Sequence, residues 1–144
     1  MYELATGLLV GDIDIATSLI DTRKRIEFNP SGNELVVLYE GTNTIEVHKL
    51  NTNGQFVKEK DLIFGSNVVD MQYMNDGSLA VLRQNGTSSL VDFVSVSDSN
   101  GNNIASNDQI VADKGNPTFL KISPDNKYIG VAFLGNGLNI YSKN

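Results

Sequence analysis

The sequence predicts an all-β protein built from repeated four-stranded antiparallel sheets. Three observations indicate this class: short runs rich in β-branched and aromatic residues, turn residues between those runs, and a spacing that recurs along the chain. No stretch sustains a helical period with caps for about ten residues. With 144 residues and no Cys or Trp, the chain has the length of one domain with a hydrophobic core.

The predicted strands are apolar runs, several of which alternate with a period of two. In the run 44–50, Ile45, Val47 and Lys49 fall on one side of the strand and the remaining residues on the other. The segment 13–20 fits a strand or a helix equally. The predicted strands are 35–39, 44–50, 68–74, 78–83, 90–96, 119–122, 128–134 and 138–141.

Tight turns are predicted wherever Gly follows Asn, Asp or Ser. These residues tolerate the positive φ angles that hairpin turns require. The pairs are Ser31-Gly32, Asn53-Gly54, Asp76-Gly77, Asn85-Gly86, Asn100-Gly101 and Asn136-Gly137.

Three segments of the chain align as internal repeats: 26–37, 71–81 and 120–131. Each is an apolar strand end, a turn and an apolar strand start, and Pro30 and Pro124 lie two steps of about 47 residues apart. A second turn and a third strand follow each copy, and a fourth strand follows in the first two copies. Four short strands in roughly 45 to 49 residues are typical of a β-propeller blade.

Several motifs resemble those of known propeller families. The segments 28–32 (FNPSG) and 122–126 (ISPDN) resemble the F-S-P-D-G turn of WD-repeat, lactonase-like and surface-layer-like propellers. In 115–117 (GNP), 42–48 and 2–7 the sequence is similar to lactonase-like blades. The resemblance implies a propeller fold over nearly the whole chain. Because the chain lacks Trp-Asp and Gly-His pairs and has one histidine, the looser families are favoured over WD repeats.

The repeats divide the single domain 1–144 into about three blade equivalents. We expect the end of one blade in 1–24, blades in 25–65 and 66–114, and three strands of a further blade in 115–144. Closed propellers usually have four to eight blades, and an open arc exposes sheet faces and strand edges. Three arrangements resolve this: two chains form a six-bladed ring, the chain is part of a larger propeller, or a partner covers the arc.

Charge and hydropathy exclude two classes of partner. The net charge of −6 and the pI of about 4.6 leave no basic footprint for nucleic acid. No apolar run approaches the roughly 20 residues that span a bilayer. No charged n-region precedes an apolar core, so no signal peptide is visible, which favours the cytoplasm or nucleus.

Three polar features are candidates for chemical sites. His48 has no second His, no Cys and no orienting acid at short spacing, so a structural or surface role is expected. Asp12 and Asp14 fall on one side of a strand, and a solvated outer strand accounts for them better than a metal site. The run 98–103 resembles a calcium loop, but its twelfth position is Gln109 rather than Glu, which favours a long hairpin turn.

The only basic cluster is Arg23, Lys24 and Arg25. A solvated blade edge accounts for these charges better, and a contact with a partner is the alternative. No catalytic residue, cofactor or metal is expected, since the chain has no nucleophile elbow or Gly-rich phosphate loop.

The leading functional hypothesis is a non-enzymatic propeller scaffold or protein–protein interaction module, whose partner is another protein or a second copy that completes the ring. The alternatives are a lactonase-like hydrolase or its fragment, and a ligand- or sugar-binding propeller.

Overall fold

The computed structural model describes residues 24–97, 109–112, 114–135 and 137–143. In this part of the chain every regular element is a β-strand. The strands are β1 Lys24–Phe28, β2 Glu34–Tyr39, β3 Thr44–Leu50, β4 Phe56–Ile63, β5 Val68–Tyr73, β6 Leu79–Asn85, β7 Ser88–Val94, β8 Gln109–Ala112, β9 Pro117–Ile122, β10 Tyr128–Phe133 and β11 Gly137–Ser142.

The strands form three antiparallel sheets in which each strand pairs with its neighbour in sequence. Sheet 1 has the order β1-β2-β3-β4, sheet 2 the order β5-β6-β7-β8, and sheet 3 the order β9-β10-β11. The all-β class and the four-stranded antiparallel unit are therefore confirmed. Where the blade boundaries fall in the rest of the chain stays a prediction.

The same turn joins the first two strands of every sheet. Its last residue has a positive φ of 72° at Gly32, 84° at Gly77 and 60° at Asn126. Asn is among the few side chains that adopt this left-handed conformation readily, which explains why it replaces Gly in the third copy. The other predicted Gly turns with positive φ are at Gly54, Gly86 and Gly137, while Asn100-Gly101 lies outside the described residues.

One predicted strand is shifted. The sequence predicts 90–96, whereas β7 spans Ser88–Val94, because the turn at Gly86 is so tight that Ser88 already pairs with Asn85. Val96 lies beyond the strand, yet it is buried in the core, and burial rather than pairing accounts for its apolar character.

The sheets stack face to face, so each has a front face towards the preceding sheet and a rear face towards the next. Val36, Leu38 and Ile45 on the rear face of sheet 1 form one core with Met71 and Leu79 on the front face of sheet 2. A second core joins the rear face of sheet 2 to the front face of sheet 3. Its buried members are Met74, Ala80, Leu82, Val91, Ala112, Leu120, Ile122, Ile129, Val131 and Phe133.

The first strands of the sheets, β1, β5 and β9, lie side by side, with β5 in contact with both of the others. They do not pair through their backbones, so side chains make the polar links between them. This arrangement positions the candidate site described next.

Candidate functional site

The axial cleft lies along the inner strands and is lined by polar side chains from all three sheets. Its volume is about 260 Å³. Alternate residues of β1, β5 and β9 point to the rear side of their sheets, which brings one pair from each strand to the cleft. These pairs are Arg25 and Glu27, Asp70 and Gln72, and Phe119 and Lys121.

Asp70 is the central group of the axial cleft, and its residue is only 3% exposed. One carboxylate oxygen, Oδ1, lies 2.8 Å from Nη1 of Arg25 and accepts the backbone N–H of Met71 at 2.9 Å. The other, Oδ2, accepts the backbone N–H of Leu120 at 2.7 Å. Because both oxygens already have donors, Asp70 joins the three inner strands and has little capacity left to bind a ligand.

Gln72 continues this pattern one step along β5. Its Oε1 accepts the backbone N–H of Ile122 at 2.9 Å. Among the described strands, β9 is the edge strand of sheet 3, so none of them pairs with its inner side. The side-chain oxygens of Asp70 and Gln72 on β5 therefore accept two backbone N–H groups on that side.

Glu27 is the carboxylate with the altered proton affinity in the axial cleft. Burial raises its pKa, the positive charge of Lys121 opposes that rise, and the negative charge of Asp70 adds to it. A carboxyl whose pKa is raised by burial in a cleft can take part in proton transfer nearer to neutrality.

The rear face of sheet 3 is a second candidate site. Its pairing register places Phe119, Gly130 and Leu138 on this face, with Tyr128 and Ile140 beside them. The exposures are 46% for Phe119, 52% for Tyr128, 61% for Leu138 and 68% for Ile140. Together with Lys121 they line a groove of about 520 Å³. An exposed apolar face of this kind is a candidate contact site for another molecule.

His48 lies on the front face of sheet 1 and is 3% exposed. Its Nε2 is 3.2 Å from Oε2 of Glu46, and its Nδ1 has no hydrogen-bond partner. Lys58 donates to the other oxygen of Glu46 at 3.0 Å, and Tyr39 donates to Oε2 at 3.3 Å. Burial raises the pKa of Glu46, but the hydrogen bonds from Lys58 and His48 outweigh it, so that the pKa is lowered. His48 is thus part of a buried network. The expectation that it has no orienting acid at short spacing is wrong, because Glu46 lies two residues earlier on the same face of β3.

Of the predicted basic cluster, the structure describes the side chain of Arg25, which is paired with Asp70. Arg23 and the side chain of Lys24 lie outside the described residues, and the partner contact stays a prediction. Asp12, Asp14 and the run 98–103 also lie outside them. Gln109 is described, and its amide donates to Oδ1 of Asp92 at 2.6 Å.

The same part of the chain shows neither a metal cluster nor a membrane helix. Among the described residues, no three His, Asp or Glu side chains gather as metal ligands would. No helix there is long and apolar enough to cross a membrane.

Solved structures with a similar fold include two proteins described as lactonases. The chain superposes on a provisionally assigned 6-phosphogluconolactonase of Bacteroides fragilis with a TM-score of 0.65 and 17% identity, covering 85% of this chain and 35% of that one. For the periplasmic gluconolactonase of Pseudomonas aeruginosa, the TM-score is 0.65 and the identity 15%, covering 85% of this chain and 36% of that one. A functionally unknown protein of Desulfotomaculum acetoxidans superposes with a TM-score of 0.71 and 18% identity, covering 99% of this chain and 43% of that one.

These likenesses show the fold alone, because the identities are low. The chain spans well under half the length of each of these structures. No protein-family model matches the sequence, and no curated protein matches it. The three antiparallel sheets therefore fit a partial β-propeller, and the resemblance to WD repeats stays a prediction.

Sequence reasoning missed Asp70, Gln72, Glu27 and Lys121. A signal was present in the repeat alignment, since Arg25, Asp70 and Phe119 occupy the same position in the three copies. A position that changes from cation to carboxylate to aromatic, beside invariably apolar positions, indicates contacts specific to each strand.

Proposed function

We propose that this chain is a β-propeller module that binds another protein surface through the rear face of sheet 3, and that it has no catalytic role of its own. The observation that carries the proposal is the exposure of Leu138, whose equivalents Ile45 and Val91 in the other two sheets are buried. Removing these exposed apolar side chains from water favours association with another surface.

A lactonase-like hydrolase is the second candidate, and Glu27 is the observation that favours it. Its raised pKa suits a general acid or base, and Lys121 in the same cleft offers a positive charge to a substrate oxygen. Asp70 is a poor candidate for the same role because Arg25 and two backbone N–H groups occupy its oxygens. Loss of lactone hydrolysis in Glu27→Gln would support this candidate.

Site-specific photo-crosslinking tests the interaction module. Benzoylphenylalanine is placed at Leu138 in the rear face, and a matched control carries it at Val111, a 55% exposed residue on β8. In the cells that make the protein, we expect one adduct of defined mass from position 138 and none from position 111. Equal labelling at both positions, with lactone hydrolysis by the purified chain, would contradict the proposal.

A further inference from the structure

We infer that the partner of the rear face is a second copy of this chain, bound head to tail so that sheet 3 of one copy packs on β1 of the other. The inference rests on the proposed function, because it assigns an occupant to the same surface. Three observations carry it: exposed apolar residues on the rear face of sheet 3, exposed apolar residues on the front of β1, and complementary charges at these two ends.

The rear face of sheet 3 has the apolar pattern of the two rear faces that are covered. At equivalent positions of the third strand, sheet 1 has Ile45 and sheet 2 has Val91, which are 0% and 1% exposed, whereas sheet 3 has Leu138, which is 61% exposed. Sheets 1 and 2 bury these positions against the next sheet. The rear face of sheet 3 is therefore one half of an interface that the chain already makes twice.

The other half is exposed at the front of β1. In the two internal interfaces, the front-facing residues of the inner strand are buried, as at Met71 (2%) and Leu120 (2%). The equivalent residue of β1 is Ile26, which is 51% exposed, and its neighbour Phe28 is 45% exposed.

The rest of the front face of sheet 1 defines how far this contact extends. Leu35, Val37 and Tyr39 on β2 are already buried, at no more than 4% exposed. A second copy consequently contacts the front of sheet 1 through β1. On the rear face of sheet 3, Gly130 has no side chain and leaves a groove between β9 and β11. Phe28 on β1 of the second copy can insert into this groove.

The charges of the two ends complement each other. Arg25 and Asp70 occupy the same repeat position in adjacent inner strands, and their side chains meet at 2.8 Å. The same step from sheet 3 to a second copy brings Lys121 to Glu27 of that copy, and Phe119 to its Arg25. The first contact is an ion pair and the second places a guanidinium near an aromatic ring.

Head-to-tail contacts form a closed ring when the rotation closes and a filament when it does not. For two copies, the ring closes when sheet 3 of each copy packs on β1 of the other. The same contact then occurs twice in the dimer, so each charge pair contributes twice.

Mixing two charge-reversed variants tests this geometry. Lys121→Glu and Glu27→Lys are purified separately, and the mass in solution is measured by light scattering for the parent, for each variant and for their mixture. We expect the parent to be a dimer, each variant to lose association at least roughly tenfold, and the mixture to recover a dimer. Mixing restores both Lys–Glu contacts between copies, whereas no contact within one chain is changed by mixing.

The controls separate folding from association. Each variant is first compared with the parent by thermal unfolding, and Lys127→Glu, a reversal on an exposed lysine whose partner is Asp125, serves as the matched control. If the parent stays monomeric at high concentration, or if the mixture stays monomeric, the inference that the partner is a second copy is overturned. The photo-crosslinking experiment tests the proposed function separately. That function is contradicted if position 138 gives no specific adduct. If the adduct contains a different protein, the proposed function holds and only the second copy is excluded.

Discussion

Asp70 accepts a 2.7 Å hydrogen bond from the backbone N–H of Leu120, and this bond ties the inner strand of sheet 2 to that of sheet 3. Adjacent inner strands in this fold do not share a backbone ladder. Their N–H groups therefore depend on side-chain acceptors, and a buried carboxylate is a strong one because the bond is charge-assisted. The same carboxylate pairs with Arg25 on β1, the inner strand of sheet 1.

Replacement of Asp70 by Ala should destabilise the fold. It leaves the N–H of Leu120 without its acceptor and removes the partner of Arg25, for an expected loss of about 2 to 4 kcal/mol in the free energy of unfolding. Denaturant titration measures the loss. The control is Asp125→Ala, which should cost less, since the Asp125 side chain is 51% exposed and its hydrogen bonds with Ser123 and Lys127 stay within one turn. Equal effects at both positions would remove Asp70 from its structural role.

Replacement of Tyr73 by Phe should weaken the contact between sheets 1 and 2. The Tyr73 hydroxyl donates to Oε1 of Glu34 at 2.6 Å, and burial, followed by this hydrogen bond, raises the pKa of Tyr73. The ring remains while the bond is lost, so about 1 to 3 kcal/mol of stability should disappear. Tyr128→Phe, at a 52% exposed position, is the matched control for thermal unfolding. An unchanged midpoint in Tyr73→Phe would contradict the prediction.

The ion pair of Arg83 and Asp92 gives a prediction with opposite outcomes for single and double variants. Nε of Arg83 donates to Oδ2 of Asp92, which is 0% exposed. Arg83→Met leaves a buried carboxylate without its cation, at an expected cost of about 3 to 5 kcal/mol. Arg83→Met with Asp92→Leu removes both charges and should lie within about 1 kcal/mol of the parent. A double variant that loses as much stability in urea as Arg83→Met alone would refute a coupled pair.

Glu27→Gln should change how stability depends on pH. Burial raises the pKa of Glu27 above its value of 4.5 in the unfolded chain, so the folded state binds this proton more tightly. Its contribution to stability is then fully present below about pH 4.5 and is lost as pH rises through the higher folded pKa. At a protein concentration low enough for both proteins to be monomeric, the Gln variant lacks this titration and should be more stable than the parent at neutral pH, by less than about 1 kcal/mol for a partly exposed group.

Urea unfolding of the parent and of Glu27→Gln at several pH values measures the difference. The gap between the two proteins should narrow as the pH falls from neutrality towards 4.5. Glu59→Gln is the control, because Glu59 lies on β4, away from the axial cleft. A gap that stays constant with pH would contradict the raised pKa.

The strands and turns of this protein follow from local sequence. Positive φ at Gly32 and Gly77 requires residues without a steric penalty there, and alternating apolar residues define which faces are buried. The repeat spacing then predicts sheets of one architecture, which is why the all-β class follows from the order of residues alone. Strand ends were less exact, as with β7, because pairing across a tight turn sets them.

The axial cleft could not be derived in this way. Asp70 and Leu120 are far apart in the chain and meet only when sheets 2 and 3 stack. Local sequence places Asp70 in a strand and Asp125 in a turn, but nothing local shows that Asp70 joins three inner strands. The same holds for Leu138, whose apolar character predicts burial as firmly as that of Val91. Local sequence determined which faces are apolar, and only the tertiary structure decided which of them the chain covers, because stacking is a relationship between sheets.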